Sequence, residues 1–199
     1  MTPTWPNLHT ITVPMLTDLH EGGPGTLITA QGGMAPYRVQ RPGEVDLNTP
    51  WLIIAYGHGD LRLDLIEHDD WDRVAAAATR TAANAHHRLF FQPPPPLARA
   101  VRRDLARHGL ILDHRPDASR TEDDGYRWDD HLTWADNPRL TFAMTYVQRH
   151  RDSLLINLAM YDQDRYVTSW PERITTTSGV PFCVREAPER ARRHLDLHE

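Results

Sequence analysis

Apolar and polar positions follow three distinct patterns along this chain, and each predicts a different kind of element. Trp51 to Tyr56 is a continuous apolar run, the pattern of a central strand buried on both faces. Gly57-His58-Gly59-Asp60 has the composition of a tight turn. Beyond it, Leu61, Leu63 and Leu65 alternate with Arg62, Asp64 and Ile66, the period of a strand with one buried face. Residues 51–67 are therefore predicted as a β-hairpin. The pattern then changes to helical. Asp69 or Asp70 can cap a helix over residues 70–87, with Asp72 in its first turn and an alanine-rich body from Val74 to Ala83. Leu97, Val101 and Leu105 recur at i, i+4 and i+8, which predicts a second helix over 97–108. Pro96 can occupy its first position and Gly109 its left-handed C-cap.

The flanking regions read as strands. Before residue 50, closely spaced Gly and Pro leave short β-like runs at His9 to Met15, Thr26 to Ala30 and Tyr37 to Gln40. After the second helix, Leu110 to Leu112 reads as a strand and Pro116 to Gly125 as a polar loop. A β-meander follows from Tyr126, with turns at Asp129-Asp130-His131, Asp136-Asn137-Pro138, Arg149 to Asp152 and Asp162-Gln163-Asp164. Val180 to Val184 reads as a last short strand, and the residues after Pro188 as a short polar helix carrying Ala191 and Leu195. The fold class predicted is α+β: mainly antiparallel sheet, from hairpins and a C-terminal meander, with two central helices and a short C-terminal helix. The 199 residues suit a single domain, with Pro93 to Pro96 as a joint between two lobes, 1–92 and 97–199.

Composition narrows the partners. All 22 basic residues are Arg against 27 acidic ones, a net charge of -5. The absence of Lys matches GC-rich bacterial coding better than selection for phosphate, because a net-acidic chain repels a polyanion except at a local patch. With no long apolar run and no basic leader, a cytoplasmic location with no membrane contact is expected. One cysteine, Cys183, excludes an internal disulfide and a multi-cysteine zinc site, and its apolar neighbours describe a buried thiol.

Five groups of residues are candidates for chemistry. His58, Asp60 and His68 offer imidazole and carboxylate to a metal ion, although a hairpin would hold His68 a strand length from the other two. Asp129-Asp130-His131, with Glu122, Asp123 and Asp124 upstream, could act as an acid-base pair, but on a turn these groups stay hydrated. Cys183 lacks an evident activating base. Arg99, Arg102, Arg103 and Arg107 project from the second helix and could grip a macromolecule. Trp128 and Trp134, with Tyr146, Tyr161, Tyr166 and Trp170, could present an aromatic patch on the sheet. No phosphate loop, dinucleotide fingerprint or hydrolase elbow occurs. The function expected is that of an accessory protein binding a macromolecule, another protein or a second copy of itself rather than nucleic acid, with no cofactor. A small metal-dependent hydrolase built on His58, Asp60 and His68 is the alternative, and a nucleic-acid-binding role for the Arg-rich helix is the third.

Overall fold

The computed structural model describes residues 9–197 apart from 33, 48, 50, 92, 121–124, 151 and 176–178. The protein is α+β, with a three-stranded and a six-stranded antiparallel sheet among the described residues. The chain divides into two compact units. Unit 1 comprises Met1–Pro93 together with Asp113–Arg115, and unit 2 comprises Pro94–Leu112 and Pro116–Glu199. No helix among the described residues is long and apolar enough to cross a membrane.

Unit 1 contains helix α1 (Val13–Gly22), strands β1 (Leu27–Gln31), β2 (Arg38–Gln40) and β3 (Leu52–Gly57), and helices α2 (His58–Glu67) and α3 (Trp71–Phe91). The strand order is β2-β1-β3, so β3 pairs on one side only. Its apolar run reflects cover by α3 rather than a central place in the sheet. Val74, Ala78, Ala82 and Ala85 form the buried face of α3. Small side chains let the helix axis approach β3 closely, and Leu16 and Leu19 of α1 complete the core.

Two expectations fail here. Residues 13–15, expected in an extended run from His9, open helix α1, with Pro14 in the first turn, where a missing N–H costs nothing. The predicted hairpin over 51–67 is a strand followed directly by a helix, α2. Leu, Arg and Glu are good helix formers, and the alternation of leucines was compatible with either element. In the helix only Leu61 is fully buried, and Ile66 stands 83% exposed. Helix α3 itself runs on to Phe91, past the expected end at 87.

Unit 2 contains α4 (Pro96–Arg107), β4 (Leu110–Leu112), β5 (Asp117–Arg120), β6 (Tyr126–Trp134), β7 (Leu140–His150), β8 (Ser153–Asp162), β9 (Arg165–Thr175) and α5 (Phe182–Asp196). Its sheet runs β4-β6-β7-β8-β9, with β5 also on β6. Pro96 begins α4, and Gly109 beyond its end has φ 81°. The strict alternation in β7 places Leu140, Phe142, Met144 and Tyr146 on one face. Leu154, Ile156, Leu158 and Met160 of β8 join them there. Both α4 and α5 belong to this covered face: Arg102 of α4 reaches Asp130 and the Tyr146 ring, and α5 packs on β8 and β9.

Three expectations change. Asp129-Asp130-His131 is no turn, since β6 passes straight through it. Part of the polar loop, 117–120, is a strand, while Glu122, Asp123 and Asp124 lie outside the described residues. The stretch expected as a last strand starts α5 instead, where Glu172 Oε2 accepts the Cys183 N–H at 3.2 Å and places negative charge at the helix N-terminus.

The central interaction of unit 2 is a buried ion pair. Arg102 Nε and Nη2 donate to the two carboxylate oxygens of Asp130 at 2.6 and 2.5 Å, and the guanidinium carbon lies 5.8 Å from the Tyr146 ring centre. Arg102 is 6% exposed and Asp130 fully buried. Burial opposes charge on Arg102, but Asp130 outweighs it and raises the guanidinium pKa above its usual value. Burial and then Asp130 push Tyr146 well above the usual phenol range.

Removing one partner strands a desolvated charge. Arg102→Ala is expected to cost about 3–5 kcal/mol in urea unfolding, while Arg102→Met combined with Asp130→Leu costs far less than the sum of the single changes. A second expectation concerns acid. Arg139 and then His194 hold the Asp162 carboxyl down at about 2 through hydrogen bonds of 2.6 and 2.9 Å. The folded value lies below the unfolded value of about 3.9, so the stabilisation is complete above that pH and is lost as pH falls toward 2. Asp162→Asn should flatten the fall of the urea midpoint between pH 5 and pH 2.

Candidate functional site

The two regions that the sequence marked for chemistry are resolved separately, one in each unit. In unit 1, His58 is the first residue of α2, Asp60 lies in its first turn and His68 is its C-cap. A helix rises about 1.5 Å per residue, so ten residues set His68 roughly 15 Å from His58. The three do not converge. Among the described residues no three His, Cys, Asp or Glu side chains are grouped to hold a metal ion.

The His58 end of α2 is instead met by Asp113, His114 and Arg115, residues more than fifty positions away. Asp60 Oδ2 accepts the Gly57 N–H at 2.9 Å and the Arg115 N–H at 2.8 Å. His114 Nδ1 lies 3.3 Å from Asp60 Oδ1, and Arg115 Nε 3.8 Å from the same oxygen. The next N–H groups of the helix are also taken: His58 donates to the Thr26 carbonyl at 3.0 Å and Gly59 to the Asp113 carbonyl at 2.8 Å. The Asp113 carboxylate accepts the Gly25 N–H at 2.7 Å, with His58 Nδ1 3.7 Å away, beyond hydrogen-bond length. Burial pushes the Asp113 carboxyl up, but His58, the Gly25 N–H and His114 outweigh it and bring it below the usual range. On β3, Tyr56 donates to Asp64 of α2, and burial followed by that carboxylate raises the phenol far above its normal value. These carboxylates satisfy backbone donors and a phenol, and their geometry is that of a helix start.

Nothing local in the sequence joins residues 57–60 to 113–115. The one signal was the glycine pair. A Cβ on Gly57 would overlap the Asp113 carbonyl, and one on Gly59 would overlap the His114 ring.

In unit 2 the predicted surface divides. Arg102, expected to project outward, is the buried partner of Asp130. Trp128 and Trp134, each 2% exposed, belong to the covered face of the sheet, because β6 does not turn at 129–131 and its even-numbered positions all point inward. Arg99 donates to the Pro94 carbonyl at 2.9 Å. Arg103 and Arg107 remain accessible, both 3.4 Å from Asp104 Oδ1. Cys183 is buried, and burial followed by Glu172 pushes its thiol up to about 12, so it is no thiolate at neutral pH.

No pattern along the chain pointed to the opposite face of this sheet. In register across the strands stand Arg173, Leu155, Val147 and Arg127, and in the next row Pro171, Asn157, Thr145 and Asp129. At the β7-β8-β9 side, Thr145, Val147, Leu155, Asn157, Pro171 and Arg173 line a shallow, mainly apolar depression of about 390 Å³. The Asn157 amide oxygen is buried there and has no hydrogen-bond partner among the described residues. Asp129, by contrast, is fully engaged: Arg127 donates to both its oxygens at 2.7 and 2.9 Å, and the Thr145 hydroxyl to one of them at 2.6 Å.

Comparison with protein-family models, with curated proteins and with solved structures returns no match.

The glycine contacts give a graded expectation. Gly57→Ala meets backbone and should cost about 3 kcal/mol, whereas Gly59→Ala meets a side chain that can turn aside and should cost about 1 kcal/mol. His114→Ala placed on Gly59→Ala should recover part of that smaller loss in a denaturant titration.

Proposed function

We propose that the protein is a non-enzymatic binding module that receives a partner polypeptide on the open face of the unit 2 sheet. The observation that carries this is the depression around Asn157: an apolar floor holding one buried acceptor that has no partner among the described residues. Unpaired buried polar atoms are rare because each costs about 1–3 kcal/mol. A site that keeps such an atom within an apolar hollow gains when a donor arrives with apolar surface around it. Arg127, Asp129 and Thr145 beside it are paired with one another, so a partner need not displace them.

The other readings lose their principal residues. Metal-dependent hydrolysis relied on His58, Asp60 and His68, which stand at opposite ends of α2 with Asp60 committed to two backbone donors. Nucleic-acid binding relied on Arg99, Arg102, Arg103 and Arg107; Arg102 is committed to Asp130 and Arg99 to the Pro94 carbonyl, which leaves Arg103 and Arg107 accessible beside Asp104. Of the expected aromatic patch, Trp128, Trp134 and Tyr146 are interior, while Tyr166 is exposed against Tyr161.

A photo-reactive side chain placed at position 155 should yield polypeptide adducts in cells producing the protein, and one at position 107 on α4 should yield none. Equal labelling from both positions, or none from 155, overturns the reading. Adducts between two copies of the chain would identify the partner as a second copy.

A further inference from the structure

The same depression also indicates the chemistry of what it receives. Resting on the sheet-face reading above, we infer that the occupant is an acidic-apolar peptide segment of a partner protein. Its apolar side chain lies over Val147, Leu155 and Pro171, its carboxylate faces Arg173, and it donates an N–H or O–H to the Asn157 amide oxygen.

Charge complementarity carries the argument. Two arginines share this row of the face, Arg127 and Arg173. Arg127 is neutralised by the bidentate Asp129. Arg173 is exposed at the rim of the depression, and no ion pair is found for it among the described residues. A guanidinium beside apolar surface is the setting in which a carboxylate binds with paired, charge-assisted hydrogen bonds. Asn157 supplies an acceptor, so the occupant must bring a donor, as any peptide backbone does. These two groups thus call for opposite features, an anion and a neutral donor, about two residues apart on a single extended segment.

A polyanion fits less well. Asp117 stands directly opposite Asp129 on the neighbouring strand, so two carboxylates share Arg127 and the net negative charge there repels a phosphate backbone. Base stacking would need aromatic rings in the depression, and none is among the residues that line it.

The test is selection of short random peptides on the immobilised full chain. Peptides with Asp or Glu beside an apolar residue should be enriched, and a selected peptide should weaken about tenfold when its acid is replaced by the amide. Arg173→Glu should weaken it by a similar factor and recover binding to the same peptide carrying Lys at that position. Asn157→Leu should weaken it about fivefold while raising the urea midpoint, because an unpaired buried amide is removed. A residue with a purely structural role would not separate stability from binding in this way. Enriched peptides lacking acids, yet released by Leu155→Arg, would overturn the acidic-apolar occupant and leave the sheet-face reading standing. Peptide binding indifferent to both Leu155→Arg and Asn157→Leu, in variants that unfold at the wild-type urea midpoint or above, would overturn both. Labelled oligothymidylate bound by the wild type and released by Leu155→Arg would replace the peptide with nucleic acid.

Discussion

Arg102 and Asp130 form a charge pair wholly inside unit 2, and much of that unit is arranged around it. Desolvating two charges is costly, and the cost is offset only when both oxygens and both donors are matched in one geometry. That requirement fixes the rotation of α4 against β6. With Arg102 turned inward, Ala98, Val101 and Leu105 face the sheet on the same side. The pair also places charge beneath Tyr146, so the centre of an apolar core carries a fixed dipole rather than hydrocarbon alone. Because α4 and α5 are committed to this face, no helix of unit 2 among the described residues covers the opposite face of the meander.

Unit 1 uses its acidic residues in a related way. Asp60, Asp113 and Asp64 each spend a carboxylate on an interior donor: backbone N–H groups at the start of α2, the N–H of Gly25 and the phenol of Tyr56. A helix begins with unsatisfied N–H groups, and here a distant segment supplies both a carbonyl and a surrounding cage. The two glycines at that junction are required by closeness of approach rather than by a left-handed backbone. Side chains that suggested reactivity in the sequence are thereby engaged in holding the start of one helix.

What remains unsatisfied in unit 2 is correspondingly informative. On the open sheet face Asp129, Arg127 and Thr145 close upon one another, whereas among the described residues no partner is found for the Asn157 amide oxygen and no ion pair for Arg173. In the proposed reading, that acceptor and that cation flanking an apolar hollow trade a standing cost in stability for recognition. This contrast between paired and unpaired groups, rather than any sequence motif, supports a binding role.

Local periodicity determined a good deal. The alternation in β7, the apolar run of β3, the alanine face of α3 and the Pro96 to Gly109 limits of α4 are all legible, because each depends on neighbours a few residues apart. The α+β class followed from them. Tertiary structure decided where local signals were balanced. Leu61 to Leu65 alternate as a strand would, yet Asp60 and the segment 113–115 settle them as helix. Asp129-Asp130-His131 has turn composition, yet Arg102, twenty-eight residues from Asp130, gives Asp130 a partner that lets β6 run through. The open face and its unpaired Asn157 arise from register among three strands, which no single window contains. Sequence fixes what each residue can bond with. Which bonds form in the interior is set by partners distant in the chain, since burial makes every unmatched charge or donor costly and so selects the fold that matches them.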